Sequence, residues 1–238
     1  MKNLKKDNSC EFLRVKHFAN IDIYREERTG IPEVIIAAGK KKEHLISIIK
    51  KVAHNKERVI LTRISLSLVK EIKKLGYFTE HNEEGRVCVV SKKKYEAKKT
   101  GGRVGIITAG TSDIQVAEEA KVIAEQLGCR VFTAYDVGIA GVHRLFPTLE
   151  KMRKEKVDVY IVAAGREGAL PTLVAGMVDA PVIGLPISTG YGIAGKGKTA
   201  LYAMLQSCSP LVVVNIDAGF VAGAVSAQIA NRMAGAKR

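Results

Sequence analysis

Apolar positions alternate between short continuous runs and helically spaced stripes along the whole chain. In the first third, Pro32 to Ala38 is a buried-strand pattern closed by Gly39. Lys41 to Asn55 carries Leu45, Ile48, Ile49 and Val52 at i, i+3, i+4, i+7, which predicts an amphipathic helix. Arg58 to Thr62 predicts a second strand. Ser65 is placed to cap a helix carrying Leu68, Val69, Ile72 and Leu75, which Gly76 ends. Arg86 to Val90 predicts a third strand. These elements make a small α/β unit.

From residue 103 the pattern changes to strand, loop and helix, repeated five times. The predicted strands are Val104–Thr108, Arg130–Ala134, Val157–Ala163, Pro181–Leu185 and Leu211–Ile216. Their near-continuous apolar character suits strands buried on both faces, hence a parallel sheet covered on each side by helices of 12–16 residues. The expected fold is a doubly wound, flavodoxin-like parallel sheet, whose ligands bind beyond the carboxyl ends of the strands.

Composition sharpens this division. Residues 1–100 hold 24 Lys and Arg against 13 Asp and Glu, with 4 glycines; the remaining residues hold 14 against 11, with 18 glycines. The expected domains are therefore a small basic α/β domain at 1–91, a Lys/Gly linker at 92–102 and a catalytic domain at 103–238. The linker lysines could tether nucleic acid by counterion release. The solvated-linker reading is preferred, because only Tyr95 is there to stack on a base. A hydrophobic content of 47% and a mean hydropathy of +0.04 fit a globular protein and exclude disordered or collagen-like chains. No apolar run is long enough to span a membrane, and Met1 to Lys6 is charged, with no apolar block after it to make a secretory leader. Cys10, Cys88, Cys129 and Cys208 are too far apart in sequence for a zinc knuckle, which suggests a reducing, cytoplasmic setting.

The candidate chemistry lies in four loops that follow the first four strands of the second domain. Gly110-Thr111-Ser112-Asp113 offers amide groups and a helix start to an anion. It can also be read as a capping box, with Ser112 answered by Gln115. The second loop holds Asp136, then His143-Arg144, either an acid beside an anion clamp or simply a helix start. The third holds Gly165, Glu167 and Gly168. Among such small residues, burial would raise the pKa of Glu167 toward general acid/base use, whereas a helix N-terminus would lower it. The fourth holds Ser188, Thr189, Gly190, Tyr191 and Gly192, and runs into Gly197-Lys198-Thr199. That last stretch matches the phosphate-loop pattern, but it follows the fourth strand and no partner strand answers it, so triphosphate hydrolysis is disfavoured. Cys208, near the end of a helix, reads on residues alone as a small buried hydrophobe rather than a nucleophile. The Gly- and Ala-rich helix after Asp217 suggests close helix packing, plausible at a subunit interface.

These motifs resemble the AIR-carboxylase-like (PurE-like) proteins, through Ser112-Asp113, His143-Arg144 and Ala164-Gly165 leading to Leu170-Pro171. They resemble the related LarB family more closely. That resemblance runs from about Ile21 to Arg238 and includes Arg25-x-x-Arg28-x-Gly30-x-Pro32-Glu33-Val34, Thr62-Arg63, Asp136-Val137-Gly138, Glu167 to Pro171, Gly190-Tyr191-Gly192, Ser207-Cys208 and Val214 to Asp217. The chain departs from the families at Ala169, where PurE enzymes carry a His. Arg166, Ala218 and Lys196-Gly197-Lys198 stand where LarB-like chains have Met, Asn and an uncharged segment.

The resemblance implies an enzyme that carboxylates the pyridinium ring of nicotinic acid adenine dinucleotide with CO2 or bicarbonate. It would release AMP and pyridinium-3,5-biscarboxylic acid mononucleotide, the starting point of a nickel-pincer cofactor. It also implies Cys208 as the nucleophile, Glu167 as the proton carrier, and Gly110, Thr111, Ser112, Asp113, Asp136, His143, Arg144, Gly165, Gly168, Ser188, Thr189, Gly190, Tyr191 and Gly192 as substrate contacts. A divalent metal such as Mg on the phosphates is expected, with Asp136 and His143 as candidate ligands, as is a homo-oligomer, an octamer on the PurE pattern. Two other readings remain open. One is a PurE-type mutase of an aminoimidazole ribonucleotide, against which Ala169 argues. The other is a basic regulatory or nucleic-acid-binding protein on a degenerate fold.

Overall fold

The computed structural model describes residues 12–236. The charged start at Met1 to Lys6, Cys10 and the terminal Arg238 lie outside these described residues. The chain divides into two compact units, Met1–Glu96 and Ala97–Arg238.

The first unit opens with a hairpin, β1 (Leu13–Val15) and β2 (Ala19–Ile21), then a short helix α1 (Arg25–Thr29). The sequence pattern gives no sign of these, because each element is only a turn or two long. β3 (Val34–Ile36), α2 (Lys42–Asn55) and β4 (Arg58–Thr62) follow, with β3 and β4 parallel. Next come α3 (Leu66–Lys74), β5 (Phe78–Asn82) and β6 (Val87–Ser91), in the order β3-β4-β6-β5. β5 was not expected: its sequence is largely polar, and it is an edge strand paired only with β6. Leu45, Ile48, Ile49 and Val52 of α2 and Leu68, Val69 and Ile72 of α3 pack on Ile35, Val59 and Leu61 as one core. The expected α2 stripe is thus a buried face, and so is that of α3 except for Leu75, which stands at the helix end and is exposed. Ser65 caps α3, its hydroxyl accepting from the Leu68 amide at 3.4 Å.

The second unit is a five-stranded, all-parallel sheet. In chain order its elements are β7 (Arg103–Thr108), α4 (Ile114–Gln126), β8 (Arg130–Ala134), α5 (Leu145–Lys154), β9 (Val159–Ala164), α6 (Ala169–Ala175), β10 (Val182–Pro186), α7 (Lys198–Leu205), β11 (Val212–Val213) and α8 (Gly219–Ala236). The order β11-β10-β9-β7-β8 is the doubly wound, flavodoxin-like arrangement. Successive residues of β9 alternate between two cores. Val159, Ile161 and Ala163 meet α4 and α8, while Tyr160, Val162 and Ala164 meet α5, α6 and α7. Every residue of β9 is buried, and each large side chain so buried contributes about 1.5–3 kcal/mol.

Several expectations need correction. Only α4 falls in the expected range of helix length; α6 and α7 have 7 and 8 residues, because the glycine-rich loops before them use up the chain. The fifth strand is two residues long, not six. After it the chain turns through Asn215, whose carbonyl accepts from the Ala218 amide, and Asp217 adopts φ 54°. The small residues of α8 give the expected close helix packing, here against α4 of the same chain. A Cβ on Gly223 would collide with the carbonyl of Ala120 on α4, and one on Gly219 would lie 2.6 Å from the Val116 carbonyl. Residues 92–102, the expected linker, span the boundary between the two units and make a few local contacts. Tyr95 stacks under the Arg58 guanidinium at 4.7 Å, and the Thr100 amide donates to the Gly128 carbonyl at 3.0 Å. Among the described residues no helix is long and apolar enough to cross a membrane.

Candidate active site

All four loops at the carboxyl ends of β7, β8, β9 and β10 line one cleft of about 300 Å³ in the second unit. Its floor is main chain. A Cβ on Gly190 would overlap the Gly165 carbonyl, and one on Gly138 would lie 2.6 Å from the Ala109 carbonyl. Only residues without side chains let these loops approach so closely. Gly110, Ser112, Asp113, Gly165, Glu167, Thr189, Gly190 and Tyr191, all expected site residues, line this cleft.

Asp113 is the least exposed polar group of the cleft, at 3%. It ends a tight turn, Thr111–Asp113, and its carboxylate accepts from the Gly110 amide at 2.8 Å. This bond closes the turn, in place of the expected Ser112–Gln115 capping box. Burial pushes the Asp113 carboxyl up to about 6, against the opposing pull of the Gly110 amide and the Ser112 hydroxyl; the negative charge of Glu167 adds to the rise. Two carboxyl groups therefore face one cleft, one deep and one at the rim. Glu167 itself is exposed and precedes the left-handed N-cap Gly168 of α6, so the burial suggested by its small neighbours is not there.

Arg166 was noted in the sequence only as a departure from the family pattern, yet it lines the cleft. Its guanidinium lies 4.7 Å from the Tyr191 ring centre and donates to the Tyr191 hydroxyl at 2.8 Å, bridging the third and fourth loops. Gly138, Ile139 and Ala140 represent the second loop.

Other expected residues stand outside the cleft lining. Asp136 pairs with Arg144 at 2.8 Å, both exposed, and His143 is exposed in the same turn. Thr111 is exposed. Gly168 serves packing: a Cβ there would lie 2.6 Å from the Ala200 backbone. The Ser188 amide donates to the Asp217 carboxylate at 2.9 Å, and Gly192, at φ 107°, borders open space. Among the described residues no group of three or more His, Cys, Asp or Glu is arranged to hold a metal ion. Asp136, one of the two expected ligands, already has a guanidinium partner in Arg144.

Cys208 is exposed, not the buried hydrophobe that the residues alone suggested. It lies between α7 and β11, hence at the edge of the sheet where strands begin. A neighbouring contact agrees: the Ser209 hydroxyl lies 3.5 Å from the Cβ position of Gly176, at the far end of α6 from Gly168. The cleft is at the opposite edge.

Family comparisons fit this architecture. Residues 103–237 match the AIR carboxylase family, and residues 12–93 match the LarB/PurE-like N-terminal domain. The chain belongs to the LarB-like family. An uncharacterized protein of Methanocaldococcus jannaschii is 48% identical over 219 residues, covering 90% of this chain and 84% of that protein. The N5-carboxyaminoimidazole ribonucleotide mutase of Thermotoga maritima is 31% identical over 133 residues, 53% of this chain and 74% of that enzyme. The corresponding mutase of M. jannaschii is 32% identical over 127 residues, 52% and 76% respectively. The similarity to mutases thus covers about half of this LarB-like chain, a share comparable to its AIR carboxylase domain, and the chain is a LarB/PurE-like carboxylase-family enzyme.

Proposed function

We propose that this LarB-like protein carboxylates nicotinic acid adenine dinucleotide at C5 of its pyridinium ring and hydrolyses the phosphoanhydride, giving pyridinium-3,5-biscarboxylic acid mononucleotide and AMP. The observation that carries the reading is the titratable set of the cleft: Asp113 and Glu167 line it and no imidazole does. A mutase of the PurE pattern calls for a His before Leu170-Pro171, and Ala169 fills that position as the first residue of α6.

The chemistry explains the residue types. A pyridinium ring is electron-poor and does not attack CO2. Addition of the Cys208 thiolate at C4 turns it into a neutral dihydropyridine whose C5 is an enamine carbon. C5 attacks CO2 and forms the new C–C bond. Glu167 removes the C5 proton, the C4–S bond breaks, and the thiolate leaves as the ring regains its aromatic, cationic form. Water cleaves the phosphoanhydride and releases AMP. The amides and helix start at Gly110 to Asp113 hold a phosphate of the substrate.

The position of Cys208 adds a condition. Since it sits at the far edge of its own sheet, the thiol serving each cleft comes from a neighbouring copy in a homo-oligomer. The test is incubation with nicotinic acid adenine dinucleotide and bicarbonate, followed by mass analysis of the nucleotides. Formation of AMP and a mononucleotide heavier by one carboxyl group is expected. Turnover of an aminoimidazole ribonucleotide with no product from the dinucleotide would replace this reading by the mutase one.

A further inference from the structure

We propose that the first unit carries a ligand site of its own, a cleft beyond the carboxyl ends of β3 and β4 that takes a phosphate group, free or on a small molecule. The cleft encloses about 330 Å³. It lies where two neighbouring parallel strands each hand over to a helix, the usual position of ligands in open α/β sheets.

Its walls are cationic. Lys40, Lys42, Arg63 and Arg86 line it, against a single carboxylate, Glu71. Glu71 is engaged by Lys42 at 2.8 Å. Lys40 and Arg86 are held differently. The Lys40 ammonium donates to the Ile36 carbonyl at 2.8 Å, and the Arg86 guanidinium to the carbonyls of Ile64 and Arg63 at 3.5 and 3.4 Å. Neutral carbonyls fix these cations in place and leave their charge uncompensated. Arg63 and Arg86 both adopt left-handed φ, 54° and 52°, a conformation non-glycine residues rarely take.

The helices add to the field. α2 and α3, of 14 and 9 residues, both begin at this cleft. Ser65 caps α3, but Lys41, the N-cap residue of α2, supplies no side-chain cap. An anion among Lys40, Arg63 and Arg86 would meet the positive end of α2 as well.

Size and wall chemistry select the ligand class. The volume is at the small end of small-molecule sites. The apolar part is aliphatic, from Ala37, Leu45 and Leu68, all buried. A nucleic-acid strand would call for stacking aromatics, and none lines the cleft. A small phosphorylated molecule fits, whether inorganic phosphate or a nucleoside monophosphate. AMP as that nucleotide rests on the proposed reaction; the site does not.

Hydrogen–deuterium exchange on the full chain separates this cleft from the catalytic one without reading turnover. Inorganic phosphate is expected to slow exchange at residues 40–46 and 63–70. Lys40→Gln should raise the phosphate concentration at half-protection about tenfold, the worth of one charge-assisted hydrogen bond. Arg86→Gln is the second variant, read only if its exchange without phosphate matches that of the parent chain. Protection by AMP at lower concentration than phosphate would support the site with a nucleotide as its ligand; equal midpoints would support it with the free anion. Protection confined to residues 109–114, or an unchanged midpoint in Lys40→Gln, would overturn the proposal. So would protection by a short oligonucleotide but not by phosphate or AMP.

Discussion

Complementation between two inactive variants tests the proposed route of the thiol to the cleft. β10 has five residues, so at ~3.3 Å per residue the sheet separates Cys208 from the cleft of its own chain by about 16 Å. Reacting atoms must approach to ~3–3.5 Å, so no rotation of a cysteine side chain closes that gap. Under the proposed mechanism, Cys208→Ser alone loses the nucleophile and Glu167→Gln alone the proton carrier; loss of a proton-transfer group typically costs ~10²–10⁴ in rate. Co-expressed in equal amounts and assembled at random, half of the clefts keep Glu167 and half of those meet an intact neighbouring Cys208. Carboxylation should then recover to about one quarter of the wild-type rate per chain, as expected for repeated interfaces in a symmetric assembly. The assay is AMP release and mononucleotide mass from the co-purified assembly, beside each variant alone. If the mixture does no better than the better of its two parents, a thiol donated by a neighbour is refuted. If Cys208→Ser is fully active alone, the covalent step falls with it.

Three further outcomes follow from the geometry. Asp113, raised to about 6 by burial, binds its proton more tightly folded than unfolded, so its contribution to stability is complete below about pH 4 and is lost as pH rises through about 6. Of the order of 3 kcal/mol should be lost across that window in urea titrations, and Asp113→Asn should flatten it; an unchanged slope would show that another group titrates there. Gly223→Leu should force α8 from α4 and cost about 1–3 kcal/mol by the same titrations, an unshifted midpoint counting against the close contact with Ala120. Alkylation of the native chain should modify Cys208 well before Cys88 and Cys129, whose thiols burial pushes up to about 12; early label on Cys88 by peptide mass would contradict the core of the first unit.

The parallel sheet was legible because strands buried on both faces leave unbroken apolar runs, as in Val159 to Ala164. β5 was not, since an edge strand with one exposed face holds Thr79, Glu80 and His81 and resembles a loop. The length of β11 was overestimated because Val214 and Ile216 are apolar yet lie in the turn that carries Asp217 to the Ser188 amide. The loops of the cleft were found through their glycines, but the sequence could not say which loop residues turn inward. Asp136 and Arg144 satisfy one another, while Gly138 and Arg166 form wall. The place of Cys208 was readable in principle. A residue between a helix and the strand after it belongs to the edge where strands start, however close in sequence it stands to residues of the cleft.

The floor at Gly165 and Gly190 has a consequence for how such a protein can diverge. Where two backbones are in direct contact the surface is made of atoms common to all amino acids, and a side chain at Gly190, whose Cβ would overlap the Gly165 carbonyl, destroys it. Variation is therefore channelled to the rim, where Arg166 and Tyr191 meet. A lineage can exchange that pair for an apolar one and change what the rim of the cleft recognises, while the main-chain surface below stays as it was.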